Sequence, residues 1–322
     1  MAKPAPADGM MGAILAAGRG TRMAAFGEGL PKCLMPIGNR PLIERQIDIM
    51  RSLGITDIAI LIGYRGREIA QILGDGSRLG VRLVYAEQTA LLGIAHAVGR
   101  LEPHVDRPFL LMLGDIFFVP GDLPRMIEAF RAQGDGAVLA VKDEPDPDAI
   151  RKNFSVALAP DGRVTRVVEK PRRVDNRLKG VGLYLFGPAI FDAIRRTPRT
   201  AMRDEYELTH SIQILIDDGH PVRVSEVVLD DVNLTYPADL LRCNLMLAAQ
   251  HPERRLVDPS ATLNPRARVS HSVIGANVTV RTPISIRRTL ILSDSVVTTD
   301  SDLEDVVIAP HGVFDCRPPA AA

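Results

Sequence analysis

Ile58-Ala59-Ile60-Leu61-Ile62 holds no polar residue in five positions. A strand with one wet face alternates apolar and polar residues. A continuous run marks a strand covered on both faces, as parallel sheets require. Working outward, Gly12–Ala16, Val81–Ala86, Phe109–Leu113 and Ala137–Val141 read as further strands. Amphipathic patterns at Leu42–Leu53, Arg65–Leu73, Ile94–Leu101 and Leu123–Ala132 place helices between them. This alternation predicts βαβ units and an α/β, Rossmann-like sheet whose ligands gather at the carboxyl ends of strands. Farther on, Ser155–Ala159, Arg163–Val168, Val181–Phe186 and Val222–Val227 follow, with helices near Ala189–Arg196 and Glu207–Asp218. They predict a mixed parallel and antiparallel extension of the same sheet.

From about residue 256 the pattern changes. Val257, Leu263 and Val269 are six apart, as are Ile274, Val280, Ile286 and Leu292. A parallel series runs through Val278, Ile284, Leu290 and Val296. Aliphatic residues at a period of six predict a short β-helix, each turn being three short strands. Only about three coils fit, and the series breaks at Thr298 and Asp302, where an irregular coil or a cap is expected. The expected division is a flexible tail over 1–10, an α/β domain over 11–250, the β-helix over 251–316 and a second tail over 317–322.

Of the 322 residues, 46% are apolar and 24% charged, which excludes a disordered or collagen-like chain. Basic and acidic residues cancel at 39 each, so no net field draws the protein to nucleic acid or an anionic membrane. Anions must be held by local donors. Three dispersed cysteines, Cys33, Cys243 and Cys316, argue against a disulfide framework and fit a reducing compartment, so a cytoplasmic protein is expected. No apolar run approaches the ~18 residues that span a bilayer.

The strongest chemical signal is Leu15-Ala16-Ala17-Gly18-Arg19-Gly20-Thr21-Arg22-Met23, followed by Leu30-Pro31-Lys32-Cys33-Leu34-Met35-Pro36. After an apolar strand, Gly18 and Gly20 permit a sharp turn that exposes N–H donors. Such a loop can cradle a polyphosphate, with Arg22 and Lys32 adding charge. It matches neither the P-loop nor the dinucleotide fingerprint. Gln88 follows a strand and can offer a donor and an acceptor to a pyrimidine edge. Gly93 leaves room for a base against the backbone, while His96 reads as a structural partner rather than a catalyst. Phe109–Leu113 ends in Gly114-Asp115, which places a carboxylate at the sheet's carboxyl edge, suited to Mg²⁺.

On these motifs the chain resembles the sugar nucleotidylyltransferases, closest to glucose-1-phosphate thymidylyltransferases and related uridylyltransferases. The resemblance covers roughly residues 11–250, and several such proteins carry a C-terminal left-handed β-helix. It implies transfer of a nucleoside monophosphate from dTTP or UTP to a sugar 1-phosphate, with Mg²⁺ as cofactor and release of pyrophosphate. It also implies that the loop from Leu15 to Thr21 wraps the nucleotide, that Arg22 and Lys32 neutralise its phosphates, and that Gln88 and Gly93 read thymine or uracil. Asp115 is the implied metal ligand. For a second ligand, aligning the aspartate of the family's motif selects Asp231, whereas aligning the proline selects Asn233. Lys170 is expected to grip the sugar phosphate, with Glu169, Gly182, Tyr184 and Glu207 around the sugar. Phe154-Ser155 and His210 depart from the thymidylyltransferase pattern, and Ser155 would crowd a space that glycine leaves for the sugar.

Other readings are a nucleotide-sugar-binding regulatory homologue with little turnover, and a guanylyl- or cytidylyltransferase of the same family. An acyltransferase activity of the β-helix is a further rival. With few coils and only His271 and His311, that module reads instead as a packing surface in a homo-oligomer.

Overall fold

The computed structural model describes residues 7–18, 30–201 and 203–317. The expected loop residues Gly20, Thr21 and Arg22 lie outside the described residues. The chain folds as two compact units. One comprises the described residues of Met1–Gly18 with Gln46–Asp231, the other those of Arg19–Arg45 with Val232–Ala322.

The first unit is built on a nine-stranded mixed sheet. Its parallel half consists of β1 (Met11–Ala16), β2 (Asp57–Ile62), β3 (Arg82–Glu87) and β4 (Phe109–Leu113). Strand β1 lies between β2 and β4, with Ile14 opposite both Ile60 and Met112. These strands are apolar along their length because both faces are covered. Ile14, Ile58, Ala59 and Ile60 have no exposure at all. Helices α1 (Leu42–Ser52), α2 (Gly66–Leu73) and α3 (Ile94–Gly99) come between the strands. After β4 the chain adds β5 (Ile116–Pro120), α4 (Pro124–Gln133), β6 (Ala137–Asp143), α5 (Pro147–Arg151), β7 (Phe154–Leu158), β8 (Val164–Glu169) and β9 (Leu178–Phe186). Helices α6 (Ala189–Arg196) and α7 (Leu208–Asp217) follow, then β10 (Val222–Ser225) and β11 (Val228–Asn233). Strand β9 runs antiparallel to β4, β6 and β7, joining the parallel half to the extension. The mixed α/β sheet is as its sequence implied.

Residues 7–10, expected to be loose, are packed in part. Ala7 and Met10 are buried, and the Ala7 N–H donates to the Leu53 carbonyl at 2.9 Å.

The boundary expected after residue 250 falls instead after Asp231. Helix α8 (Pro237–Ala249) therefore belongs to the second unit, and buried Asn244 shows why. Its Oδ1 accepts from the Gly38 N–H at 2.8 Å, while its Nδ2 donates to the Pro36 and Leu240 carbonyls at 3.0 and 2.9 Å. The hairpin of Pro36–Ile37 and Arg40–Pro41 is thus pinned to α8.

The rest of the second unit is a short β-helix of parallel ladders, closed by an antiparallel pair at its end. Its repeat corrects the period of six. Register pairs Val257 with Ile274, Leu263 with Val280 and Val269 with Ile286, so a coil is 17 residues, with edges of six, six and five. The inward series therefore continues through Ile291, Val297 and Leu303 rather than Leu292. Val296 is 54% exposed, and the apparent break at Thr298 is the short edge shifting the phase.

Candidate active site

The carboxyl end of β1 is where the first unit gathers chemistry. Strand β1 carries Leu15 and Ala16 into Ala17 and Gly18, the described part of the expected nucleotide loop. Two glycines from neighbouring strands press on it. A methyl group on Gly114 would sit 2.6 Å from the Leu15 carbonyl oxygen, and one on Gly63 would sit 2.9 Å from that of Ala17. The Gly114 N–H itself donates to the Leu15 carbonyl at 2.9 Å. Asp115 follows directly and is half-buried at this rim. Its turn is braced by Gln46, which donates to the Leu113 and Ile116 carbonyls at 2.9 and 2.8 Å. Sequence reading missed Gln46, since a polar residue on α1 carries no periodic signal.

Gln88 lies just after β3 and is only 6% exposed. Its backbone N–H donates to Ile62, and its Nε2 lies 3.0 Å from Nδ1 of His96 on α3. His96 is the structural partner expected of it. The fold itself requires glycine at position 93. Its φ is 108°, and a Cβ there would lie 2.5 Å from the Tyr206 carbonyl oxygen. The space is filled by protein backbone: the Tyr206 N–H donates to Leu92 and its carbonyl accepts from Ala95.

Beyond Tyr206 opens a cavity of about 480 Å³ lined by Glu169, Lys170, Arg172, Thr200, Arg203, Glu207 and His210, among others. Lys170 sits exposed at the end of β8 in a left-handed conformation, with φ 43° and its N–H bonded to Asn153. Arg203 stands between two carboxylates, 3.2 Å from Glu207 and 3.6 Å from Glu169. Burial, then the charge of Glu207, pushes Glu169 above the ordinary glutamate range, while Lys170 and Arg203 pull it back. Sequence reading missed Arg203, because what singles it out is a contact to carboxylates from two different segments. The cavity pairs cations suited to a phosphate with carboxylates suited to hydroxyl groups.

Two other expected sugar contacts are packed into the core. Gly182 is buried, with a Cβ there only 2.5 Å from Ile116. Tyr184 is stacked between Phe154 and Phe186, and burial raises its phenol far above the ordinary range. Ser155 lies inside β7, opposite Val168 and Lys179.

Asp231 is buried, and both of its carboxylate oxygens accept from Lys179 Nζ, at 2.7 and 2.9 Å. Lys32 and exposed Asn233 belong to the second unit. Among the described residues, no group of three or more His, Cys, Asp or Glu side chains is gathered to hold a metal. Nor, among them, is any helix long and apolar enough to cross a membrane.

A family model described as nucleotidyl transferase matches residues 11–229. The glucose-1-phosphate thymidylyltransferase of Streptomyces griseus is 33% identical, over 93% of this chain and 87% of its own length. The low-salt glycan biosynthesis nucleotidyltransferase Agl11 of Haloferax volcanii is 34% identical, covering 82% of this chain and 73% of its own. The UTP–glucose-1-phosphate uridylyltransferase AglF of the same organism is 32% identical, over 71% and 93%. Among solved structures, a chain described as a Bacillus anthracis glucose-1-phosphate thymidylyltransferase superposes with a TM-score of 0.66. It has 26% identity and covers 74% of this chain and 94% of that one.

Proposed function

Since this chain belongs to the nucleotidyl transferase family and is a sugar-1-phosphate nucleotidyltransferase, we propose that it joins the nucleoside monophosphate of dTTP or UTP to a sugar 1-phosphate. The observation that carries the substrate reading is the cavity in which Arg203 and Lys170 stand with Glu169 and Glu207. A phosphorylated polyol needs both: cations for its phosphate and acceptors for its hydroxyls.

The reaction is an in-line displacement. An oxygen of the sugar phosphate attacks the α-phosphorus of the triphosphate, and pyrophosphate leaves. The attacking oxygen is already ionised, so no side-chain base is required. The barrier lies in bringing two anions together and aligning them. Lys170 and Arg203 take the charge of the sugar phosphate. Gln88 addresses the pyrimidine, and the backbone from Leu15 to Gly18 approaches the triphosphate. On the sequence, Arg22 and Lys32 are assigned to the charge of the departing pyrophosphate.

The donor chemistry at the rim suits Mg²⁺. Such an ion keeps several waters and needs only one or two protein carboxylates beside substrate phosphates, and Asp115 is one. Bound there, it would supply neutralisation of the phosphate charge during transfer. The second donor, Asp231 or Asn233, is assigned from the sequence motif alone; in the fold Asp231 accepts from Lys179 Nζ. We place the protein in the cytoplasm, a reading supported by Cys33, Cys243 and Cys316, which form no disulfide among the described residues. The β-helix sides offer a surface for homo-oligomer formation.

Pyrophosphate release from a matrix of nucleoside triphosphates and sugar 1-phosphates tests the reading. Turnover is expected with dTTP or UTP and at least one sugar 1-phosphate. Asp115→Asn should reduce that turnover about a hundredfold or more without lowering the melting temperature. Near-normal turnover by this variant would remove Asp115 from the mechanism, and a purine-only triphosphate profile would overturn the substrate.

A further inference from the structure

A carboxamide can face a ligand in two ways, and the choice decides which pyrimidine it fits. On one edge, uracil and thymine present an N3–H donor beside a carbonyl acceptor. Cytosine presents an N3 acceptor beside an amino donor. A glutamine whose Oε1 faces N3 takes the first edge; turned by a half rotation, it takes the second. The base preference of Gln88 therefore depends on what holds its amide.

We propose that His96 holds the Gln88 amide in one direction, and so makes the pocket accept uracil or thymine and reject cytosine. The inference rests on the assignment of Gln88 to base recognition made above. Its ground is the 3.0 Å approach of Gln88 Nε2 to His96 Nδ1 beneath an almost fully buried amide. The amide nitrogen can only donate, so Nδ1 must carry the lone pair and Nε2 of the ring the proton. One N–H and the oxygen of Gln88 are left for the base.

The surroundings keep the ring in that state. Burial first, and then the charge of Arg100 on the same helix, lower its proton affinity below the ordinary histidine range. The ring stacks on Tyr206 with centroids 6.4 Å apart, and the Arg199 guanidinium lies 5.7 Å from the centre of the Tyr206 ring. Among the described residues, Arg100, Tyr206 and Arg199 are thus the charged and titratable groups around it, and neither arginine favours an imidazolium. Protonation would turn Nδ1 into a donor, which demands the Gln88 oxygen and reverses the amide. His96 is accordingly a positioning residue: it acts on the base through Gln88.

The test measures kcat/KM for UTP, dTTP and CTP with the full-length protein at pH 8.0 and pH 5.5, for the parent and for His96→Leu. The parent should prefer UTP or dTTP to CTP, and that ratio should fall, by less than tenfold, between pH 8.0 and pH 5.5, because the ring's proton affinity lies below the ordinary histidine range. His96→Leu should show the reduced ratio at both, with the loss in KM for UTP or dTTP rather than in kcat. A ratio in His96→Leu equal to the parent's, at both pH values, overturns the proposal. If the parent uses no pyrimidine triphosphate, the reading of Gln88 itself fails instead. Should the variant not fold, ¹⁵N NMR of the parent imidazole decides: a protonated Nε2 with bare Nδ1 at pH 8.0 is expected, and a protonated Nδ1 refutes it.

Discussion

Arg203 faces two carboxylates at once, and the state of one of them, Glu169, can be measured. Glu169 is held above the ordinary glutamate range, chiefly by burial and by the neighbouring charge of Glu207. The folded chain therefore keeps its proton at a pH where the unfolded chain has released it. The stability this confers is complete below the ordinary glutamate range and is lost as pH rises through the folded value. Glu169→Gln cannot ionise, so it should unfold at higher urea than the parent at pH 7, with the difference vanishing at pH 3.5. An equal difference at both pH values would show that packing, not charge, separates the two. A glutamate that carries this cost whenever it ionises fits a group kept to accept hydroxyl hydrogen bonds.

At the scale of elements, the end of β1 is shaped by what its neighbours lack. Gly63 and Gly114 approach Ala17 and Leu15 so closely that a methyl group on either would collide with main chain. Gly114→Ala should cost about 1–3 kcal/mol of stability, as overpacking does, seen as an earlier denaturant midpoint with unchanged slope. It should also lower turnover at temperatures where the fold persists, since Asp115 follows directly. The strands themselves were legible because continuous apolar runs are rare outside buried sheets; Phe109–Leu113 is read and observed with the same bounds. Strand β5, Ile116–Pro120, was not, because the turn separating it from β4 is only Gly114 and Asp115. In the site, Asp115 and Gln88 stood out as polar residues closing apolar strands. Arg203 and Gln46 did not, since Glu169 and the Leu113 and Ile116 carbonyls that give them meaning lie far along the chain. Gly93 was noticed for its lack of a side chain, yet only the Tyr206 backbone shows which neighbour needs that space.

Across the whole molecule, two kinds of periodicity coexist, and the second was read one residue too long. Six is the commonest spacing in the β-helix, so the sequence suggests it; the five-residue edge appears only when register is known. Buried Ser272 and Thr289 lie one coil apart where the chain leaves that edge, and the Thr289 N–H donates to Ser272 Oγ at 3.1 Å. The left-handed residues His271, Arg288 and Asp305 stack at the same corner, the last two as an ion pair. This makes the β-helix a cassette whose length comes in fixed rungs. Duplicating residues 273–289 inserts one 17-residue rung and continues every column, so thermal unfolding should keep its single transition. Duplicating one residue more would rotate Ile291, Val297 and Ile308 off the core, and that longer insert should melt lower than the shorter one.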